Sequence, residues 1–365
     1  MRDAGVQTNE GVGARAGARR GLPLLVLCAA SACALALAAA AAAASWQGHA
    51  AAAQQARAAQ QAQAAQPPQA GAQQPQSSAR PAQDPNQLSA QGPTPAAAGR
   101  VVYGEFQSAS LGRAVRYAVS LPAGYDERPK QRYPLVLFLH GLNNSERDWE
   151  GQGIEAKLAA LRAAGRVGDF IVAVPFGANS FYLNSKDGVR YEDAIVKDFL
   201  PFIEAQYRTT GDARHRLIAG LSMGGSGALL IAFKHPELFA GVATNSAALF
   251  SELPQRPAPE DRRGGYYYAL ALKLFGDPPD AAHFQANNPL NLAKTNADKI
   301  KRLRIYFDVG EQDRYGFDAG NRQLDQVLTA TGVKHEFHLV PGGHGWTFLA
   351  ERAEPAFEFV WQTIR

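Results

Sequence analysis

Between Arg216 and Leu230 the chain reads RLIAGLSMGGSGALL, and this stretch restricts the fold more tightly than any other. An apolar run enters the frame Gly220-x-Ser222-x-Gly224, and a small, apolar, helix-compatible run leaves it. The pattern predicts a strand that breaks sharply into a helix, with Ser222 on the break. A serine that is to act as a nucleophile must stand proud of strained backbone, where neighbouring side chains would collide, and glycine removes those side chains. Met223 would then open the helix, and its N–H, unused within the helix, is free to meet a developing negative charge. A glycine-rich turn carrying a surface serine is the alternative. The apolar segments on both sides argue against it.

The surrounding texture says what kind of sheet receives this turn. Val101–Phe106 and Ala114–Leu121 alternate as two antiparallel strands would, with Leu111-Gly112 in the turn. Continuous apolar runs follow at Leu135–Leu139, Phe170–Val174, Leu217–Ala219, Val242–Thr244, Ile305–Phe307 and Glu336–Val340, and such runs suit strands covered on both faces. Helical patterns lie between them, at Gly153–Ala164, Tyr191–Tyr207, Met223–Lys234, Ala319–Thr331 and Phe348–Ile364. Strand and helix in alternation predict an α/β domain over residues 100–365, with a mostly parallel sheet and helices on both faces. Sites in such sheets form at the carboxyl ends of the strands. Residues 249–299 break the rhythm with prolines, charges and three successive tyrosines, and are expected to form an insertion capping the site.

A serine hydroxyl needs a base to accept its proton and a carboxylate to orient that base. In this architecture they follow the serine in the order acid, then histidine. His344 sits in Val340-Pro-Gly-Gly-His-Gly-Trp, a glycine-rich loop after the last strand, and is the candidate base. His235 falls at the far end of the helix that Ser222 opens, His283 in the insertion, and His335 and His338 at or in the last strand. The acid is sought after the preceding strand, where Asp313 is preferred and Glu311 and Asp308 are rivals. A second N–H for an oxyanion hole is expected where the strand before His140-Gly141-Leu142 ends, from Leu142 with Gly141 close behind. His140 precedes Ser222, the wrong order for the base, and reads as a buttress of that loop.

Charge and cysteine usage exclude several other functions. The formal net charge is +4, yet residues 1–100 hold seven Arg and three acids, and the remaining 30 Lys+Arg and 30 Asp+Glu cancel. No basic stripe is left on the body for nucleic acid. Both cysteines, Cys28 and Cys33, lie in an apolar segment near the N-terminus, so the body has neither disulfide framework nor thiolate metal site. Arg15, Arg19 and Arg20 precede the apolar run Leu22–Ala44, the pattern of an export signal or an uncleaved membrane anchor within residues 1–45. Residues 46–99, rich in Ala and Gln and then Pro, read as a disordered linker. The expectation is an exported protein, periplasmic or secreted, or one anchored through residues 22–44, with contact to membrane only through that segment.

At these residues the chain resembles the esterase D / S-formylglutathione hydrolase-like branch of the α/β-hydrolase superfamily, with tributyrin and feruloyl esterases, enterochelin-esterase-like proteins and mycolyltransferases among its relatives. The matching pieces are Leu139-His-Gly-Leu142 with Asp148-Trp149, Tyr191-Glu-Asp193, Asp198-Phe-Leu-Pro-Phe-Ile203, Ile218-Ala-Gly-Leu-Ser-Met-Gly-Gly225 with Gly227-Ala228, His235-Pro-Glu-Leu-Phe239, Asp308-Val-Gly-Glu-Gln-Asp313 and Pro341-Gly-Gly-His344. The resemblance implies the α/β-hydrolase fold, Ser222 as nucleophile, Asp313 as orienting acid, His344 as base, and the Leu142 and Met223 amides as oxyanion donors. It departs from the pattern after the histidine, where Gly345-Trp346-Thr347-Phe348 stands in place of Asp-Trp and a second Trp.

The expected activity is hydrolysis of short-acyl or aromatic, feruloyl-like esters through an acyl-enzyme, with no metal and no organic cofactor. Tyr182, Tyr266, Tyr267, Phe275 and Trp346 are candidate walls of the substrate pocket. An acyltransferase using the same three side chains and a tethered, non-catalytic binding protein are the alternatives, and the oligomeric state is left open.

Overall fold

The computed structural model describes residues 99–365. The leader, the apolar segment 22–44 and the linker anticipated from the sequence lie outside the described residues. Eight strands form one sheet: β1 (Arg100–Ser108), β2 (Arg113–Leu121), β3 (Leu135–Leu139), β4 (Ile171–Pro175), β5 (Arg216–Leu221), β6 (Gly241–Asn245), β7 (Arg304–Gly310) and β8 (Glu336–Val340). Their spatial order is β1-β2-β4-β3-β5-β6-β7-β8. β1 pairs antiparallel with β2, and β2 antiparallel with β4. Every later pairing is parallel.

The central strands are apolar throughout because both their faces are covered. In β3, Leu135, Leu137 and Leu139 point into one hydrophobic layer and Val136 and Phe138 into the other. The first layer is closed by the helix Met223–Lys234, the helical run Tyr191–Gln206 and the helix Phe317–Ala330. The second is closed by Ile154–Ala163 and Ala353–Ile364, with Trp149 fully buried between them and the sheet. Burying one such large apolar side chain stabilises the fold by roughly 1.5–3 kcal/mol, so each layer rests on many contributions of that size. This is the α/β-hydrolase arrangement anticipated from the sequence.

Three local expectations are corrected. β8 is a half-exposed edge strand, not one buried on both faces, because among the described residues nothing pairs with its outer side. The helix expected over Phe348–Ile364 is two helices, Trp346–Glu351 and Ala353–Ile364, broken where Arg352 turns inward to the buried carboxylate of Asp308. The insertion is largely helical, and only its first helix, Arg262–Phe275, caps the cleft above Ser222. Its later helix Pro289–Thr295 packs instead on Met223–Lys234 and Phe317–Ala330 as part of the body, with Leu290, Leu292 and Ala293 buried.

Candidate active site

Ser222 ends β5 and precedes the helix Met223–Lys234, with φ 58° and ψ −117°. A non-glycine residue pays steric strain in that region, so the surroundings must hold it there. The glycines show how. A Cβ on Gly224 would lie 1.9 Å from the carbonyl oxygen of Leu139, and one on Gly220 would lie 2.3 Å from that of Gly224. The turn therefore closes only because β3, β5 and the helix meet backbone to backbone. The Ser222 N–H donates to Asn245 O at 3.0 Å, which ties the turn to the end of β6.

The three side chains singled out for chemistry come together at the carboxyl ends of β5, β7 and β8. His344 Nε2 lies 2.9 Å from Ser222 Oγ, and His344 Nδ1 lies 2.7 Å from Asp313 Oδ2. A carboxylate accepts only, so Nδ1 carries the proton and Nε2 is left to accept from the serine hydroxyl. The Asp313 side chain is fully buried and its other oxygen accepts the Tyr315 N–H at 2.8 Å. The two loops that bring acid and imidazole together touch through main chain, since a Cβ on Gly310 would lie 2.3 Å from Gly342 O.

The rival acids are placed elsewhere. Asp308 is fully buried on β7 and accepts from Asn245 Nδ2 at 2.6 Å, from the Tyr306 hydroxyl at 2.7 Å and from Arg352 Nε at 3.1 Å. Burial pushes its carboxyl up from the usual value, against those donors. Glu311 is exposed on the loop. Neither is hydrogen-bonded to His344.

The loop after β3 is fastened from three sides. His140, fully buried, donates from Nδ1 to Gly141 O at 2.8 Å and accepts the Gly177 N–H on Nε2 at 2.9 Å. Burial holds its pKa down to about 4, so the ring is neutral and the tautomer is fixed by its two partners. Asn143 and Asn179 pair reciprocally, N–H to Oδ1 at 2.8 Å and Nδ2 to Oδ1 at 2.7 Å. The Tyr182 hydroxyl donates to His140 O at 3.2 Å. This holds Leu142 at the cleft beside Ser222 and Met223. Met223 is the first residue of its helix, so its N–H has no acceptor within the helix.

Above these groups is a cleft of about 560 Å³, with Tyr266, Tyr267 and Trp346 in its wall. Tyr266 is exposed at the rim, and burial pushes the Tyr267 hydroxyl up to about 12. Two of the expected wall residues are elsewhere. Tyr182 is fully buried under the β3 loop, against Gly227, where it props the main chain and does not face the cleft. Phe275 lines a separate apolar cavity of about 50 Å³ behind the cleft, which shares Phe181, Ala248 and Tyr267 with it. The sequence reading missed Tyr315 and Phe317, whose rings lie 4.7 and 5.6 Å from the His344 ring, and missed Arg263 and Arg314 at the cleft wall. Their closeness to the Asp313 loop was the only signal available for Tyr315, Phe317 and Arg314. Among the described residues no group of three His, Cys, Asp or Glu side chains is placed to hold a metal ion.

The family model described as "Putative esterase" matches residues 108–352. Esterase Rv1288 of Mycobacterium tuberculosis is 29% identical over 269 residues, covering 67% of this chain and 56% of that protein. An acetyl esterase of Caldicellulosiruptor saccharolyticus is 28% identical over 227 residues, covering 62% of this chain and 82% of its own length. The chain thus spans only about half the length of the mycobacterial relative. The solved structure of a ferulic acid esterase superposes with a TM-score of 0.62 at 24% identity, covering 73% of this chain and 99% of that one, which shows a shared fold.

Proposed function

The chain belongs to the esterase family whose model spans residues 108–352, and from that premise we propose that it hydrolyses carboxylic esters through Ser222, His344 and Asp313. The observation that carries this reading is the continuous hydrogen-bond path from Ser222 Oγ through the imidazole to the buried Asp313 carboxylate. Ser222 Oγ attacks the ester carbonyl as His344 Nε2 takes its proton. The tetrahedral oxygen accepts from the Met223 and Leu142 N–H groups. The imidazolium, steadied by Asp313, gives its proton to the departing alcohol. Water, deprotonated by the same nitrogen, then releases the acid and restores the serine.

The expected substrates are short-acyl or aromatic esters. The cavity behind the cleft has about a third of the roughly 150 Å³ that admits benzene, a size that favours a short aliphatic acyl group over a ring. An aromatic acyl group would lie instead in the open cleft, beside Tyr266, Tyr267 and Trp346. The export or anchoring expected from residues 22–44 would place this activity outside the cytoplasm.

The test is labelling with a fluorophosphonate probe together with turnover of p-nitrophenyl acetate, on the full chain and its Ser222→Ala variant. The reading requires labelling and turnover in the unsubstituted protein and loss of both on substitution, with the thermal midpoint retained. Turnover that survives Ser222→Ala would falsify the nucleophile assignment, and an unlabelled, inactive protein would favour a binding role.

A further inference from the structure

The wall of the cleft is electrically one-sided. Arg263 and Arg314 line it, and among the described residues no Asp or Glu does. The two guanidiniums flank one ring: the Arg314 carbon lies 5.0 Å and the Arg263 carbon 5.9 Å from the centre of Tyr315. Arg314 Nη2 donates to the Tyr315 hydroxyl at 3.1 Å, and Arg263 Nη1 donates to the Arg314 carbonyl at 3.0 Å. These contacts hold both side chains in place and leave free most of the five donors that each group carries. Tyr315 in turn meets the His344 ring edge-on at 4.7 Å. The steps of 4.7 and 5.0 Å, and of 4.7 and 5.9 Å, keep the guanidiniums no farther than 9.7 and 10.6 Å from the imidazole.

The nearby acids have partners other than the two arginines. The Asp261 carboxylate is spent capping the helix Arg262–Phe275, accepting from Gly264 N–H at 2.8 Å. Asp313 is buried behind the imidazole and bound to it. Asp318 faces Arg322 at 3.9 Å. The body as a whole carries equal numbers of basic and acidic side chains beyond residue 100, so the cationic wall is a local feature and not a share of a general excess.

We propose that the substrate is an ester carrying an anionic group, a carboxylate or its chemical equivalent, within one aromatic ring's length of the scissile bond, and that Arg263 and Arg314 bind it as a pair. The inference rests on the ester-hydrolase reading and narrows it to acid-bearing esters. The planar guanidinium forks suit a carboxylate, which accepts two parallel N–H bonds. Because both arginines are exposed, the attraction is screened by salt.

The test compares 4-acetoxybenzoate with neutral 4-acetoxybenzamide on the full chain and on the R263Q/R314Q and R263K/R314K variants. A second pair, mono-4-nitrophenyl adipate and 4-nitrophenyl hexanoate, places the anion on the acyl side. Dividing each variant's anionic-to-neutral ratio of kcat/KM by that of the unsubstituted protein cancels leaving-group differences. In at least one pair the ratio should fall about tenfold in R263Q/R314Q, through KM, be largely kept in R263K/R314K, and shrink as salt is raised from 0.02 to about 0.5 M. Ratios within twofold in both pairs overturn the proposal. Should neither member of either pair turn over, the hydrolase reading fails separately. Calorimetric binding of 4-acetoxybenzoate to S222A, compared with S222A/R263Q/R314Q, then decides the anion site, with weaker binding in the triple variant supporting it and equal binding overturning it.

Discussion

Acid should loosen this protein through one residue. His140 is fully enclosed and neutral, its pKa held down to about 4 from 6.5 by burial. In the unfolded chain the same ring takes up a proton near pH 6.5. Between those values the unfolded state binds a proton that the folded state refuses, so stability rises with pH. The contribution is present in full above about pH 6.5 and is lost as pH falls toward 4. At 1.36 kcal/mol per pH unit the loss is about 2 kcal/mol at pH 5 and about 3 kcal/mol at pH 4. Protonation would also set a second N–H against that of Gly177, which now donates to Nε2. Urea unfolding of the unsubstituted chain and of His140→Gln at pH 8 and pH 5 isolates this residue, because the other histidines are common to both. The unsubstituted chain should lose about 2 kcal/mol more than the variant across that interval. Parallel losses would refute the argument that burial of this ring governs acid sensitivity.

Other perturbations follow from contacts already described. His344→Ala should reduce kcat nearly as far as Ser222→Ala, and Asp313→Asn by about 10³- to 10⁴-fold, since an amide facing Nδ1 favours the wrong tautomer; steady-state kinetics on p-nitrophenyl acetate reads both. Gly224→Ala forces a methyl to within 1.9 Å of Leu139 O, so denaturant midpoints should show a loss of at least about 1–3 kcal/mol together with loss of probe labelling. Arg352→Met removes the cation facing Asp308, a carboxylate with no exposure, and should cost about 3 kcal/mol, with Asp308→Asn in the same chain restoring part of it; additive losses would count against the pairing.

Legibility in the sequence followed backbone chemistry. Gly220, Gly224 and Gly310 mark places where only main chain fits, and glycine leaves that mark in any sequence. Strand identity was also readable, because two-sided burial demands uninterrupted apolar residues. Spatial order was not. Nothing in Leu135–Leu139 or Ile171–Pro175 says that β4 lies between β2 and β3. Aromatics defeated the reading for a related reason. Tyr182 and Tyr315 are both loop tyrosines after a strand, yet one lies beneath the main chain of the β3 loop and the other against the imidazole, a distinction set by tertiary contacts alone. The acidic stretch from β7 into its loop offered Asp308, Glu311 and Asp313 within six residues, and only the path of the chain separates a carboxylate locked to Arg352 from one aimed at His344. The insertion misled as a unit because proline-rich, charged composition describes both a roof and a wall.

The abutment of Gly310 on the Gly342-Gly343 carbonyls has a longer reach. It makes the gap between carboxylate and imidazole a matter of how two ribbons of peptide lie on one another, with no bulky group as spacer. Drift in the interior that swaps one aliphatic residue for another therefore leaves that gap alone, whereas a single added methyl at the crossing would wedge the pair apart. Roof, rim and layers can thus be substituted around a junction that has no room for a side chain.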